Sequence, residues 1–443
     1  MKVYDQFKNH FSVDNLTQIY DSRVKYSNAT GIDNINQFAF QKQSKKQIEI
    51  ISRKVISGEY NFTKYKLKLV SKGRGKVPRE ISIPTIRDRI AIRALCEFLG
   101  ERFEPSLNFE LPQVIISQVK KDISSKIYSG FIKLDVSDFY PSIVHPELKS
   151  RLRKRIKNPH INHLIESSLV TPTVSFSASS DLNAKKGVPQ GLAISNILAE
   201  IYLINIDIYM RSRPEISYYR YVDDVLIFCD AAKAEKIANE TISRFKKIGL
   251  SIHDPNLPTE KSTIGGISDQ FDYLGYRFYN STITARLGTI EKLRSSIVGI
   301  FTSYNHSKTK NDNFLLWRLN LRITGCIFEN KSKGWLFFFS EINDETLLHA
   351  LDSFVSKMVL RFGAAIKPKR FSRAFKELTH RRYETRYIPN FDKYDIIQKR
   401  QVLKDYFILL DVTKMNNDEV EYEFHKRVGK HVKELQEDIK DFS

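Results

Sequence analysis

The sequence predicts an α+β fold, and three features predict it. A short, mostly apolar strand runs from Phe131 to Leu134, residues 218–228 read as a β-hairpin, and from residue 284 onward apolar residues recur at helical spacing. In chain order, residues 1–55 are polar and helix-like, rich in Asn and Gln, and form a helical N-terminal extension. Lys72-Gly73-Arg74-Gly75-Lys76 reads as the solvated tip of a basic hairpin. Pro141 limits how far the strand that begins at Phe131 runs as a central strand. Gly187-Val188-Pro189-Gln190-Gly191 is a turn, and Leu192, Ile194, Ile197, Leu198, Ile201 and Leu203 continue it as a largely buried helix. Gly191 suits a close approach to a ligand. Ile290, Leu293, Ile297 and Ile300 mark one later apolar stripe, and Leu315, Leu316, Leu319 and Leu321 another. Trp335-Leu336-Phe337-Phe338-Phe339 is too short to span a membrane and packs a core.

Tyr221-Val222-Asp223-Asp224 carries the chemistry. Tyr218, Tyr219 and Tyr221 are strand formers, Val225-Leu226-Ile227-Phe228 is apolar, and Asp-Asp between them is a turn composition that exposes two acids at a hairpin tip. Adjacent carboxylates repel and raise one another's pKa unless a cation neutralises them, so a hard divalent metal is expected. A second acidic segment lies about ninety residues upstream, where Asp135 ends the Phe131 strand. Two-metal phosphoryl transfer takes carboxylates from separate segments to hold two Mg²⁺ roughly 3.5–4 Å apart. Asp135 and Asp223 fit those two roles, and Asp224 supports the hairpin or touches the second metal.

The aspartate strand, the Pro189-Gln190-Gly191 turn and the Tyr221-Val222-Asp223-Asp224 hairpin, in this order, resemble the palm motifs of the reverse transcriptase family. The resemblance covers roughly residues 60 to 285 and implies a right-hand polymerase: an antiparallel palm sheet backed by helices, mixed fingers and an α-helical thumb. It implies residues 1–55 as extension, 56–283 as fingers and palm, 284–362 as thumb, and 363–443 as a basic RNA- or partner-binding region. It places Val136 beside Asp135, Asp223 and Asp224 at the metal site, and Gln190 and Gly191 in substrate binding. Residues 72–89 look like the family's fingers hairpin, whose basic side chains reach the incoming triphosphate. Arg79 matches the family's arginine, and a planar guanidinium suits bidentate phosphate contact. Lys72 and Lys76 are further candidates, although Val77 stands where the family usually has its lysine. Tyr140, five residues after Asp135, matches the ring under the incoming sugar and implies a preference for deoxynucleotides; otherwise it is a core tyrosine beside Phe139. Lys261 resembles the lysine that approaches the pyrophosphate as general acid, or is a surface lysine. Phe271–Phe278 looks like the primer-grip hairpin, with Tyr273, Leu274 and Gly275 at its turn; its aromatics also suit a palm–thumb junction.

Composition agrees with a nucleic-acid enzyme. Seventy-one basic against 51 acidic residues give a net charge of +20, a field that attracts phosphate backbones. Cys96, Cys229 and Cys326 lie far apart without metal-ligand spacing, so neither a zinc site nor a disulfide scaffold is indicated, and a cytoplasmic location fits. No run of eighteen apolar residues occurs, so no membrane partner is expected. Lys369, Arg370, Arg373, Arg381 and Arg382, interleaved with aromatics, suit RNA contact, or form the solvated face of an amphipathic helix. The charged, helical tail after Asn416 suits partner docking.

Asn196 stands where many relatives carry proline and Val222 where many carry alanine. With the compact length, these departures look like the bacterial defence-associated reverse transcriptases of the "unknown" groups. Arg318–Cys326 is similar to the first polymerase of a type 3 defence system. The resemblance implies a dedicated noncoding RNA template, deoxynucleotide substrates, a DNA product, and a second polymerase or another copy of the chain as partner. Alternatives are template-independent or protein-primed DNA synthesis, a retron or group II intron type of enzyme, and an RNA-binding scaffold without activity.

Overall fold

The computed structural model describes all residues except 1, 26, 28, 72–74, 76, 108, 177–184, 258–260, 383, 410 and 440–443. The chain divides into two compact units, Met1–Phe109 with Gly130–Ile264, and Glu110–Ser129 with Gly265–Ser443. Among the described residues no helix is long and apolar enough to cross a membrane.

In the first unit, strands β1 (Tyr65–Val70) and β2 (Arg79–Ile83) pair antiparallel with Val70 opposite Arg79, and β4 (Thr173–Val174) adds to β1 in parallel. The palm sheet is built on β3 (Gly130–Ser137), whose neighbours are β6 (Asp224–Cys229) on one side and β7 (Ser251–Ile252) on the other; β5 (Ser217–Tyr221) pairs with β6 at the edge. All of these palm pairings are antiparallel. Every residue of β6 is buried, as its unbroken apolar run requires of a strand covered on both faces. The helix Ser195–Arg211 supplies Ile197, Leu198, Ile201, Tyr202 and Leu203 to the same core, and the helix Ile86–Phe103 supplies Ile90, Leu95, Phe98 and Leu99. The N-terminal helices Val3–His10 and Val13–Ile19 join this core through Phe7, Phe11 and Leu16, with Phe7 edge-on to Phe98 at 5.3 Å between centroids.

The second unit carries the hairpin Phe271–Tyr273 and Tyr276–Tyr279, extended by the strand Thr282–Ala285, followed by helices at Leu287–Asn305, Asp312–Thr324, Glu345–Arg361, Phe371–His380, Ile396–Phe407 and Asn417–Glu434. Trp335–Phe339 is buried, as its apolar composition predicts. Trp317, Leu321, Cys326 and Phe328 share one hydrophobic cluster with Phe391, Leu403, Val420, Phe424, Val428 and Val432. The last eighty residues thus contribute to a common core. The helix after Asn416 presents its apolar stripe inward. A buried pair, Arg322 to Asp438 at 2.5 Å, ties the chain end to the Asp312–Thr324 helix, and Arg322 also donates to the carbonyl of Glu434. Arg318 reaches Glu434 at 3.5 Å, so the stretch around Arg318–Cys326 is structural in its contacts.

Candidate active site

The β5–β6 hairpin closes with Tyr221 opposite Asp224, which makes Val222 and Asp223 the two turn residues. This corrects the expectation of two exposed acids at the tip. Asp224 is the first residue of β6 and only 6% exposed, and Asp223 alone of the pair stands on the turn. On β3, Asp135 lies directly opposite Asp224, so the two side chains leave the same face of the sheet. The amide of Val136 donates to the carbonyl of Asp223 at 3.3 Å, which fastens the hairpin tip to β3. The sheet therefore gathers Asp135, Val136, Asp223 and Asp224.

Burial pushes the Asp223 carboxyl up from 3.8 to about 6; the charge of Asp135 adds to the rise, while Arg79 and Arg220 oppose it. Arg79 opens β2 and acts on Asp223 and on Tyr140 through its charge, which places the candidate triphosphate clamp on the acids' side of the unit. Lys72 and Lys76 lie outside the described residues.

Two later segments flank Asp135. The amide of Asp135 donates to Ser262 Oγ at 3.0 Å, and the amide of His253 donates to the Asp135 carbonyl at 3.0 Å. His253 Nε2 is 3.4 Å and Lys261 Nζ 3.6 Å from Asp135 Oδ2, and Lys261 Nζ is 3.0 Å from His253 Nε2. Lys261 is exposed yet reaches the acid. Sequence pattern alone gives His253 no role; its position at the end of the short β7, which pairs with Val136 and Ser137, is what brings it to Asp135.

The Pro-Gln-Gly turn is stitched to the same surroundings. Gly187 donates to the Ile143 carbonyl at 2.8 Å, Val188 to the Tyr140 carbonyl at 2.9 Å, and Ser82 of β2 to the Gln190 carbonyl at 2.7 Å. Gly191 has φ +98°, and a Cβ there would stand 2.7 Å from Ile81 Cγ2 and 3.1 Å from the Ser82 carbonyl oxygen. Gly191 therefore permits a close approach to β2. Tyr140 is partly buried, and its hydroxyl donates to Asn196 Oδ1 at 2.7 Å. Burial raises its pKa, and the charge of Asp223 adds to the rise, so the ring lies near the acids.

The remaining candidates belong to the second unit. Leu274 and Gly275 form a two-residue turn with φ of +48° and +80°, while Tyr273 and Leu274 are 1% and 2% exposed. Gly275 is buried as well, so this turn packs into the unit's core. Arg370, Arg373, Arg381 and Arg382 are exposed. Lys369 is not: its Nζ donates to the Tyr387 carbonyl at 2.5 Å and lies 4.9 Å from the Tyr387 ring centre, and burial lowers its pKa.

Among the described residues no group of three or more His, Cys, Asp or Glu side chains is clustered as a metal site. Asp135 and Asp223 nonetheless fit a divalent cation. Burial and mutual repulsion oppose ionisation of Asp223, a penalty that a cation removes, and Mg²⁺ is commonly held by one or two carboxylates completed by water and substrate phosphates.

Residues 70–278 match the family model described as reverse transcriptase (RNA-dependent DNA polymerase). Residues 70–278 thus carry the reverse transcriptase domain of RNA-directed DNA polymerases, a family that generally uses divalent metal ions. It is similar to protein YkfC of Escherichia coli strain K12, 24% identical over 302 residues that cover 57% of this chain and 76% of the relative. It is 28% identical over 114 residues to the Gag-Pro-Pol polyprotein of squirrel monkey retrovirus, which covers 25% of this chain and 6% of the polyprotein. Among solved structures, telomerase from Candida albicans in complex with a fragment of telomeric RNA aligns with a TM-score of 0.43 at 12% identity, covering 92% of this chain and 69% of that one.

Proposed function

We propose that this chain synthesises DNA on an RNA template using two Mg²⁺ held by Asp135 and Asp223. The observation that carries the reading is the pairing of β3 with the β5–β6 hairpin, which sets Asp135 against the Asp223-Asp224 tip with Arg79 near enough to act on Asp223. In the reaction the primer 3′-oxygen attacks the α-phosphorus of a deoxynucleoside triphosphate, the P–O bond to pyrophosphate breaks, and the hydroxyl proton is lost to solvent. Magnesium supplies charge neutralisation at the attacking and leaving oxygens. Arg79 engages the triphosphate, and Lys261, 3.6 Å from Asp135, donates a proton to the departing pyrophosphate. The Tyr140 ring, held by Asn196, walls the sugar site against a 2′-hydroxyl. Positioning and charge carry the catalysis, as phosphoryl transfer demands.

The template is a dedicated noncoding RNA, and the setting is bacterial antiviral defence in the cytoplasm. Support for this comes from Asn196 and Val222 in the palm motifs and from the exposed Arg370, Arg373, Arg381 and Arg382. A second polymerase or a second copy of the chain is the partner. Two measurements test the reading: primer extension by the purified chain on RNA, on DNA and with no template, and sequencing of the nucleic acid that copurifies with it. RNA-dependent extension and one enriched transcript are expected. Equal extension without template refutes the templated reaction, and a random RNA population refutes the dedicated template.

A further inference from the structure

Arg220 is the fourth of the five residues of β5, between Tyr219 and Tyr221, and its side chain is 1% exposed. It points at the Ser195–Arg211 helix, where Glu200 and Asp207, seven residues apart, lie on one face. Its Nε donates to Asp207 Oδ1 at 2.8 Å, and Nη2 donates to Asp207 Oδ2 at 2.5 Å and to Glu200 Oε2 at 2.6 Å. Nη1 donates to Glu200 Oε1 at 3.0 Å and to the carbonyl of Val222 at 2.8 Å. A guanidinium has five N–H donors, and these five bonds use all of them. Four end on carboxylates. The fifth ends on the hairpin turn, at the peptide that joins Val222 to Asp223.

Val222 has φ +56°, the left-handed region that a β-branched residue adopts at a steric cost. Something must hold it there. The peptide before Asp223 is held by Arg220 through the Val222 carbonyl, and the peptide after it by the Val136 amide through the Asp223 carbonyl. The Cα of Asp223 is thereby pinned from both sides, one anchor in β3 and the other in a buried charge cluster.

We propose that Arg220, locked by Glu200 and Asp207, is a positioning residue that holds Val222 in its left-handed conformation and so aims the Asp223 carboxylate at the metal. The inference rests on the assignment of Asp223 to the metal site given above. The fifth N–H of a buried guanidinium needs an acceptor, and the one it has is the peptide whose left-handed geometry needs a support.

The test is Mn²⁺ binding to the full-length protein, read from the loss of the free-ion paramagnetic resonance signal, with folding checked by circular dichroism. The variants are Asp223→Asn, Arg220→Lys, Val222→Asn and Arg220→Lys/Val222→Asn. Lysine keeps the buried charge but has three donors in place of the fork, and asparagine accepts the left-handed region. Arg220→Lys is expected to weaken Mn²⁺ binding by about 10-fold or more, as loss of an outer partner of a ligand does. Adding Val222→Asn is expected to restore most of that loss, a coupling that a merely structural arginine does not produce. Unchanged Mn²⁺ affinity in folded Arg220→Lys, or additive effects in the double variant, overturns the proposal. Unchanged affinity in Asp223→Asn overturns the metal assignment itself and is distinguishable by that variant alone. If Arg220→Lys does not fold, Glu200→Gln/Arg220→Lys leaves one buried acid against one buried base, and it is compared with and without Val222→Asn by the same criterion.

Discussion

Replacing Asp223 by asparagine removes a charge that the fold opposes, so the variant should be the more stable protein wherever that charge is present and no divalent ion offsets it. Burial, with the repulsion of Asp135, raises the carboxyl from 3.8 to about 6. At about 1.4 kcal/mol per pH unit, the ionised form costs up to roughly 3 kcal/mol in the folded state. The sign follows from linkage: because the folded carboxyl titrates above the unfolded one, the penalty is absent below pH 3.8, grows as the pH rises from there, and is complete above about 6. For a compact unit of this size the difference corresponds to up to roughly 10 °C in melting temperature. Thermal unfolding of both proteins in EDTA, from pH 4 to pH 8, measures it. Asp223→Asn should melt higher near neutral pH, the gap should close toward pH 4, and added Mg²⁺ should stabilise the parent and leave the variant unmoved. A gap that is absent, or that does not depend on pH, refutes the argument that Asp223 is held ionised against its surroundings.

Three further outcomes follow from the geometry. Tyr140→Ala removes the ring that Asn196 holds, and the ratio of ribonucleotide to deoxynucleotide incorporation should rise by at least about tenfold; an unchanged ratio makes Tyr140 a core residue. Gly191→Ala places a Cβ against Ile81 and the Ser82 carbonyl at a left-handed φ, so thermal unfolding should show a loss of roughly 1–3 kcal/mol together with weakened nucleotide incorporation. Changing the exposed Arg370, Arg373, Arg381 and Arg382 to glutamine should lower the salt slope of RNA binding by about 0.7–0.9 for each phosphate no longer neutralised, while Lys369→Gln should change it less, because Lys369 is already bonded to Tyr387. Filter binding across a salt series reads both, and an unaltered slope in the arginine variant assigns that surface to another role.

Residues that alternate or run apolar over a whole element are legible from the sequence. The strand at Gly130–Ser137, the hairpin at 217–229 and the helix Ser195–Arg211 form where period and composition place them. The turn inside the hairpin is not legible, because composition favours Asp-Asp at the tip, whereas the register Tyr221 to Asp224 puts β-branched Val222 there at positive φ. Arg220 is hidden for a different reason, since one arginine among strand tyrosines reads as a solvent-facing residue. The available signal is on its partner: Glu200 and Asp207 interrupt an otherwise apolar helix on one face, and buried acids need a cation. His253 and Ser262 reach Asp135 through pairings distant in sequence, which local pattern does not encode. Lys369 shows the reverse limit: a basic run gives the charges, but whether each faces water depends on packing, here on Tyr387. The tail after Asn416 reads as a docking segment because its charges are conspicuous, yet Val420, Phe424, Val428 and Val432 recur at helical spacing and are buried.

Asp135 and Asp223 are proposed to make one catalytic centre, and the decisive measurement is incorporation of deoxynucleotides on an RNA template by purified parent, Asp135→Asn and Asp223→Asn proteins at saturating Mg²⁺. Each substitution should reduce the single-turnover rate by at least about 10²–10³-fold, with the folded state and RNA affinity retained. Parent-like synthesis by either folded variant contradicts the account.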